Sequence, residues 1–119
     1  MAEGTESGSV RDFAVSLAEA RTAPIPEGAR SAQLMNRGSM TVRFYAPDKI
    51  DRQTPHEQDE IYVVASGAGW FVNGDRRAKF ETGHVLFVAA GIEHRFEEFT
   101  DDFATWVVFY GPQGGEDAS

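Results

Sequence analysis

The sequence predicts an all-β domain, a sandwich or barrel of short strands preceded by one short helix. Three observations carry the prediction. From Ala32 onward, short runs of alternating or continuous apolar residues are separated by turns marked with Gly, Asn and Pro. No regular succession of β and α units occurs, which argues against a parallel α/β sheet. At 119 residues, 41% hydrophobic and 25% charged, the chain is a single domain with enough apolar side chains for a core.

The elements follow in order. Residues 1–8 are rich in Gly, Ser and Glu and read as a frayed tail. Ser9 with Asp12 resembles a capping box, and Val10, Phe13, Ala14, Leu17 and Ala18 follow at helical spacing, so a helix is expected over residues 10–20. The stretch Ala23-Pro24-Ile25-Pro26-Glu27-Gly28 stops it. Met40, Val42 and Phe44 alternate with Thr41, Arg43 and Tyr45 as in a half-buried strand, which Pro47-Asp48 breaks. Further strands are expected at 60–65, 70–72, 78–81, 85–88, 94–96 and 103–110, with Asn73-Gly74 as the strongest hairpin signal. On the last strand both faces are apolar, Trp106, Val108 and Tyr110 on one and Phe103, Val107 and Phe109 on the other. One would line a barrel while the other packs on the helix or a second subunit. The expected organisation is a tail and helix over 1–31, a barrel over 32–112 and a disordered C-terminal tail over 113–119.

Charge narrows the partners. With 11 basic against 19 acidic side chains the net charge is −8, a surface that repels phosphate backbones and anionic lipid, so neither nucleic acid nor membrane is expected as a partner. No apolar run reaches the roughly 18 to 20 residues of a spanning helix. The acidic N-terminus lacks a signal-peptide pattern, and cytoplasmic residence is the simplest reading. The absence of cysteine excludes disulfides, thiolate ligands and cysteine nucleophiles.

Two of the three histidines stand in ordered contexts. His56 precedes Glu60 by three intervening residues, and Glu60 precedes Gly67 by six; 15 residues later comes Gly83, followed by Gly91 and His94. This spacing resembles the two motifs of the cupin superfamily, small jelly-roll barrels. The resemblance covers roughly residues 39–110 and implies a double-stranded jelly-roll β-barrel. It places His56 as the second His of the first motif, with Glu60 as the motif's Glu and His94 as the His of the second motif. Several positions depart from the pattern. The opening Gly falls on Asp48 and the first His on Thr54; the second motif's Pro is Ala89, its Asn is Glu98, and the Asp after its first Gly is His84. Losing the first His leaves a site of two imidazoles and one carboxylate where most metal-binding cupins have three His and one Glu.

Elementary geometry sets a condition on that site. Along a straight strand His56 and Glu60 would lie about 13 Å apart, too far for one ion, so residues 57–59 must reverse the chain. His94 opens another strand and would arrive from across the barrel. Two imidazoles and a carboxylate suit Fe, Mn, Ni or Zn and leave coordination positions open. Either histidine alone is as well explained by a buried imidazole bonded to an acid. Gln58 is a candidate fourth ligand through its carbonyl oxygen, and His84 reads as a strand-edge residue. Thr54, Phe44, Tyr62, Phe87, Phe96 and Trp106 are candidates for the pocket wall. Arg43 is a candidate partner for an anionic substrate, while Arg95 alternates away from His94.

The function implied is that of a divalent-metal cupin acting on a small organic molecule, as a dioxygenase or as an isomerase or lyase. A non-catalytic barrel that stores or senses a small ligand is the alternative, and a structural or interaction module is a further one. A homodimer is expected from the helix and the two-faced last strand.

Overall fold

The computed structural model describes residues 13–51 and 53–117. One helix, α1 (Leu17–Thr22), precedes eight strands: β1 (Ala32–Arg37), β2 (Met40–Tyr45), β3 (Asp59–Ser66), β4 (Ala68–Asn73), β5 (Arg76–Glu81), β6 (Val85–Val88), β7 (His94–Glu97) and β8 (Ala104–Tyr110). All pairings are antiparallel, forming a five-stranded sheet in the order β1-β2-β8-β3-β6 and a three-stranded sheet in the order β5-β4-β7. This is the expected jelly roll, drawn out as two facing sheets. Among the described residues no helix is long and apolar enough to cross a membrane.

The helix starts later than its spacing suggests. Ser16 is the N-cap: its Oγ accepts from Glu19 N at 3.0 Å while Glu19 Oε1 accepts from Ser16 N at 2.8 Å. A Glu at the third helical position reaches back to the cap nitrogen and closes a reciprocal box. Ser9 and Asp12, the expected cap, lie outside the described residues. Residues 13–16 are not helical, Phe13 is 87% exposed, and Leu17 and Ala18 are exposed as well. The buried contact is made instead by Ala20, flanked by Val15 and Ala23, against Ala32, Leu34, Phe44 and Ala104.

The main core lies between the sheets. Tyr62 and Val64 of β3, Val107 of β8 with Phe103 just before it, and Tyr45 of β2 meet Phe71, Phe80 and Phe96 from the opposite side. The aromatic rings pack edge-on or tilted, with Phe96 4.9 Å from Tyr62, 5.1 Å from Phe71 and 4.7 Å from Phe103 between centroids, the separations that ring quadrupoles favour. Along β3 the inward parity Glu60, Tyr62, Val64 is buried while Val63 is turned out, so period-two patterning holds here. The outer edge strand β5 is guarded by Arg76, Arg77 and Lys79, with the Arg77 guanidinium 4.0 Å over the Trp70 ring.

Turn chemistry sets the register. The Asn73-Gly74 signal marks a hairpin as expected, with Asn73 paired to Arg76 and Gly74 at φ +64° as the first of two loop residues. Gly67 joins β3 to β4 at φ +91°, and a Cβ there would stand 2.6 Å from Phe103 Cα, which leaves glycine as the residue that fits.

The C-terminal segment makes two hydrogen bonds to residues far away in sequence. Gly114 N donates to Glu57 O at 2.7 Å and Glu116 N to Asp59 Oδ2 at 3.0 Å, pinning residues 113–117 beside the start of β3. Backbone donors of this Gly-rich stretch thus meet a loop carbonyl and a buried carboxylate.

Candidate metal centre

Three side chains from two separate parts of the chain converge between the sheets. Glu60 is the second residue of β3, paired with Val88 of β6 and Phe109 of β8, and its side chain is 1% exposed. His94 opens β7 in the other sheet, opposite Asn73. His56 precedes β3 on a loop that bends at Glu57 and Gln58, and this bend brings the His56 ring to the Glu60 carboxylate. The loop is held by Gly91 N, which donates to His56 O at 2.7 Å, and by Gly114 N on Glu57 O. Gly91 sits at φ +81°, a conformation L side chains rarely adopt, and its amide joins the two histidine-bearing loops.

The ligand atoms lie within 4.8 Å of one another. His94 Nε2 is 3.3 Å and His56 Nε2 3.9 Å from Glu60 Oε1. None of these contacts is aligned as a hydrogen bond: His56 Nε2, His94 Nε2 and both Glu60 carboxylate oxygens are buried without a partner. Four such atoms facing one another would be unfavourable, since an unsatisfied buried polar group costs about 1–3 kcal/mol. Their arrangement is what a shared cation fits, with nitrogen and oxygen ligands each about 2.1 Å from it.

The second nitrogen of His94 supports the same reading. Its Nδ1 lies 2.9 Å from Ile92 O. A carbonyl only accepts, so Nδ1 carries the hydrogen and Nε2 presents a lone pair towards Glu60. Burial alone would lower the His94 pKa, but Glu60 and the Ile92 carbonyl outweigh it and leave it raised. For His56 burial dominates and lowers the pKa despite Glu60. Burial and then the Glu60 charge push the Tyr62 phenol well above its ordinary value, keeping it a neutral donor to Gln53 Oε1 at 2.9 Å.

A cleft of about 530 Å³ opens beside the triad and is reached by His56, whose side chain is 31% exposed. Its walls include Thr41, Arg43 and Tyr45 of β2, Val107 and Phe109 of β8, and Thr54. The Phe109 ring stands edge-on 4.7 Å from the His56 ring.

Several candidate positions are placed elsewhere. Phe44 and Trp106 are paired across β2 and β8 and pack edge-on at 5.3 Å, but on the outer face beneath α1. On β8 both faces are apolar, so patterning could not assign the inner one, and on β2 the apolar face of Val42 and Phe44 packs towards α1; the cleft takes Tyr45, Val107 and Phe109 instead. Phe87 is 48% exposed and points away from the core. Tyr62 and Phe96 are core residues beside the triad, with the Tyr62 ring 6.2 Å from that of His94. Thr54 is exposed at the cleft. Gln58 uses its amide nitrogen to bond Ser39 O at 2.8 Å and Gly111 O at 2.9 Å, tying the β1–β2 turn to the end of β8. His84 is exposed, with Nδ1 on the Glu81 backbone, and Arg95 pairs with Glu97.

Asp51 and Gln53 were not legible as site residues. Asp51 accepts from Tyr45 Oη, from Gln53 N and Nε2, and from Phe96 N at 2.7 Å, bracing the loop that carries His56 against β7. An acidic loop residue ordinarily reads as solvated, and no spacing rule marks it.

Residues 41–110 match the family model described as a cupin domain. An uncharacterized protein of Streptomyces coelicolor is 36% identical over 83 residues, 68% of this chain and 79% of that protein. A Streptococcus pyogenes protein of unknown function superposes with a TM-score of 0.64 at 17% identity, covering 88% of this chain and 93% of that one. A cupin 2 conserved barrel domain protein from Rhodopseudomonas palustris gives a TM-score of 0.56 at 14% identity, over 76% of this chain and 69% of its own.

Proposed function

The chain belongs to the cupin family, and from that premise we propose that it is a metal-dependent enzyme acting on a small organic molecule, with His56, Glu60 and His94 holding one divalent ion. The observation that carries this reading is the set of four buried, unpartnered ligand atoms on those residues. Two neutral imidazoles and one carboxylate suit Fe, Mn, Ni or Zn. When bound, such an ion supplies Lewis-acid polarisation of a substrate oxygen, the chemistry of an isomerase or lyase, or with iron the redox chemistry of a dioxygenase.

The chain's own residues set the conditions for that chemistry. Ile92 O fixes the His94 tautomer and ring orientation. Glu60 brings a negative charge into a dry interior, where its attraction for a cation is strong. His56 faces the cleft, so that substrate approaches from its side, and Phe109 and Val107 form an apolar floor that limits water. Tyr62 holds Gln53, which in turn bonds Asp51, bracing the mouth of the site.

Thr54, exposed where most metal-binding cupins have an imidazole, favours a second reading, a non-catalytic barrel that binds a small ligand. Metal analysis of untagged protein separates the two. The enzyme reading expects close to one ion per chain and a rise in melting temperature with added Mn, Fe, Ni or Zn, both lost in His56→Ala and His94→Ala. Protein that carries no stoichiometric metal and gains no stability from any of the four contradicts it.

A homodimer belongs to this reading. Val63, Val85 and Phe87 form an exposed apolar strip on the paired strands β3 and β6, and β6 is the sheet edge. The outer face of β8 is partly occupied by the α1 cluster, leaving this strip as the better contact. Sedimentation at micromolar concentration is expected to give twice the 13.1 kDa chain mass, and a monomer alone would reject it.

A further inference from the structure

One positive charge in the cleft has no counter-ion among the described residues. Arg43 is half-buried on β2 among the residues that line the cleft. Its Nε donates to Ser31 Oγ at 2.6 Å, one terminal nitrogen to Gln33 Oε1 at 3.2 Å and the other to Ser31 O at 3.2 Å. All three acceptors are neutral. Among the described residues no carboxylate pairs with it, although the chain carries 19 acidic residues. By contrast, the exposed Arg77 and Arg95 both pair with Glu97.

The donor arithmetic points to the missing group. A guanidinium has five N–H donors, one on Nε and two on each terminal nitrogen. Three are engaged, and one hydrogen remains on each terminal nitrogen. Two donors on a planar, charged fork match the two oxygens of a carboxylate. The three acceptors also hold the fork in place before any ligand arrives, which lowers the entropy lost on binding.

The surroundings place this group in line with the triad. Arg43 is paired with Val107 across β2 and β8, and Thr41 with Phe109, all of them cleft residues. The Phe109 ring in turn contacts His56. An apolar floor therefore runs from the guanidinium to the imidazole. Among the described residues Glu57 is the sole carboxylate residue lining the cleft and is exposed, as is Arg30, so these two offset each other and leave Arg43 as the net charge.

We propose that the cleft takes a small organic carboxylate, its anionic group on Arg43 and its remaining atoms lying across Val107 and Phe109 towards His56. This rests on the cleft being the substrate site of the proposed metal centre. A single guanidinium with two open donors suits a monoanion better than a phosphate dianion, which is bound more often by several cationic groups or backbone amides.

The test uses the full untagged chain, both loaded with Mn(II) and stripped with chelator. Calorimetric titration with pyruvate, succinate and benzoate is compared with benzamide and inorganic phosphate. At least one carboxylate is expected to bind with a Kd of about 1 mM or tighter, benzamide much more weakly than benzoate, and phosphate more weakly than the best carboxylate. Arg43→Gln should weaken carboxylate binding about tenfold or more, and Arg43→Lys should retain part of it because charge survives without the fork. The proposal is overturned if benzamide matches benzoate, if phosphate outbinds the carboxylates, or if Arg43→Gln binds like the parent. Absence of binding by all three carboxylates up to about 10 mM overturns it too. Mn(II) titration of the same samples keeps the two readings apart. Metal uptake without carboxylate binding sinks this proposal alone, whereas Arg43-dependent carboxylate binding by protein that takes up no metal sinks the metal reading alone.

Discussion

Glu60→Gln should make the metal-free protein more stable and the metal-treated protein less so. The side chain is 1% exposed, neither carboxylate oxygen has a hydrogen-bond partner, and two imidazole nitrogens face Oε1 at 3.3 and 3.9 Å. Glutamine keeps the shape but removes the buried charge and offers two N–H hydrogens to those nitrogens. Satisfying one or two groups that each cost about 1–3 kcal/mol when unsatisfied should add about 2 kcal/mol to the metal-free fold. At about 4 °C per kcal/mol for a chain of this size, the melting temperature should rise by about 8 °C. Wild-type protein at a metal concentration about 100-fold above its Kd should gain about 2.7 kcal/mol, or about 11 °C. The variant, lacking the anionic ligand, should gain little. Differential scanning calorimetry of both proteins at pH 8.5, with chelator and then with Mn(II) or Zn(II), reads all four values. A metal-free variant that melts below metal-free wild type refutes the view that these atoms are unsatisfied. An equal metal increment in both proteins refutes the ligand assignment.

Other expectations follow from the same geometry. The pKa of His94 is raised, so in metal-free protein its protonation stabilises the fold below the unfolded imidazole value, and that contribution is lost as pH rises through the folded pKa. Metal binding runs the other way, because the ion needs the free Nε2 lone pair. The metal-induced rise in melting temperature should therefore shrink as pH falls through the His94 pKa, above the ordinary 6.5, and a rise unchanged down to about pH 5 would contradict this. Asp51→Ala removes the acceptor for Phe96 N, Tyr45 Oη and two Gln53 donors, and should cost about 3 kcal/mol in urea unfolding as well as weakening metal uptake; a loss below about 1 kcal/mol would contradict the bracing role. Gly67→Ala places a Cβ 2.6 Å from Phe103 Cα at positive φ and should cost about 3 kcal/mol or more, whereas a neutral result would show that the β3–β4 turn gives way freely.

What could be read in advance was what depends on residue type and count. His56, Glu60 and His94 are few, chemically specific and regularly spaced, and the need for a bend after His56 follows from strand rise alone. The Asn73-Gly74 hairpin was equally legible, whereas the continuous apolar run over residues 61–65 carries no alternation, and the inward parity of β3 shows only in the burial of Tyr62 and Val64 against the exposed Val63. On β8 both faces are covered, the inner by the opposite sheet and the outer by the α1 cluster, so alternation carries no sign, and on β2 the apolar face of Val42 and Phe44 packs under α1 while Thr41, Arg43 and Tyr45 line the cleft. Phe44 and Trp106 were therefore expected in the pocket although they lie outside it. The helix start depended on a choice between two serines, and the Glu three residues after Ser16 is the stronger signal. Asp51 and the pinned segment 113–117 act through backbone hydrogen bonds made between residues far apart in sequence, which local composition does not encode.

The central claim is that His56, Glu60 and His94 hold one ion, and an anomalous-difference map from a crystal of untagged native protein tests it most directly. A single strong peak within coordination distance of His56 Nε2, His94 Nε2 and a Glu60 carboxylate oxygen is the expected result. A map with no peak there, and the three side chains closed on one another through hydrogen bonds or water, would contradict it.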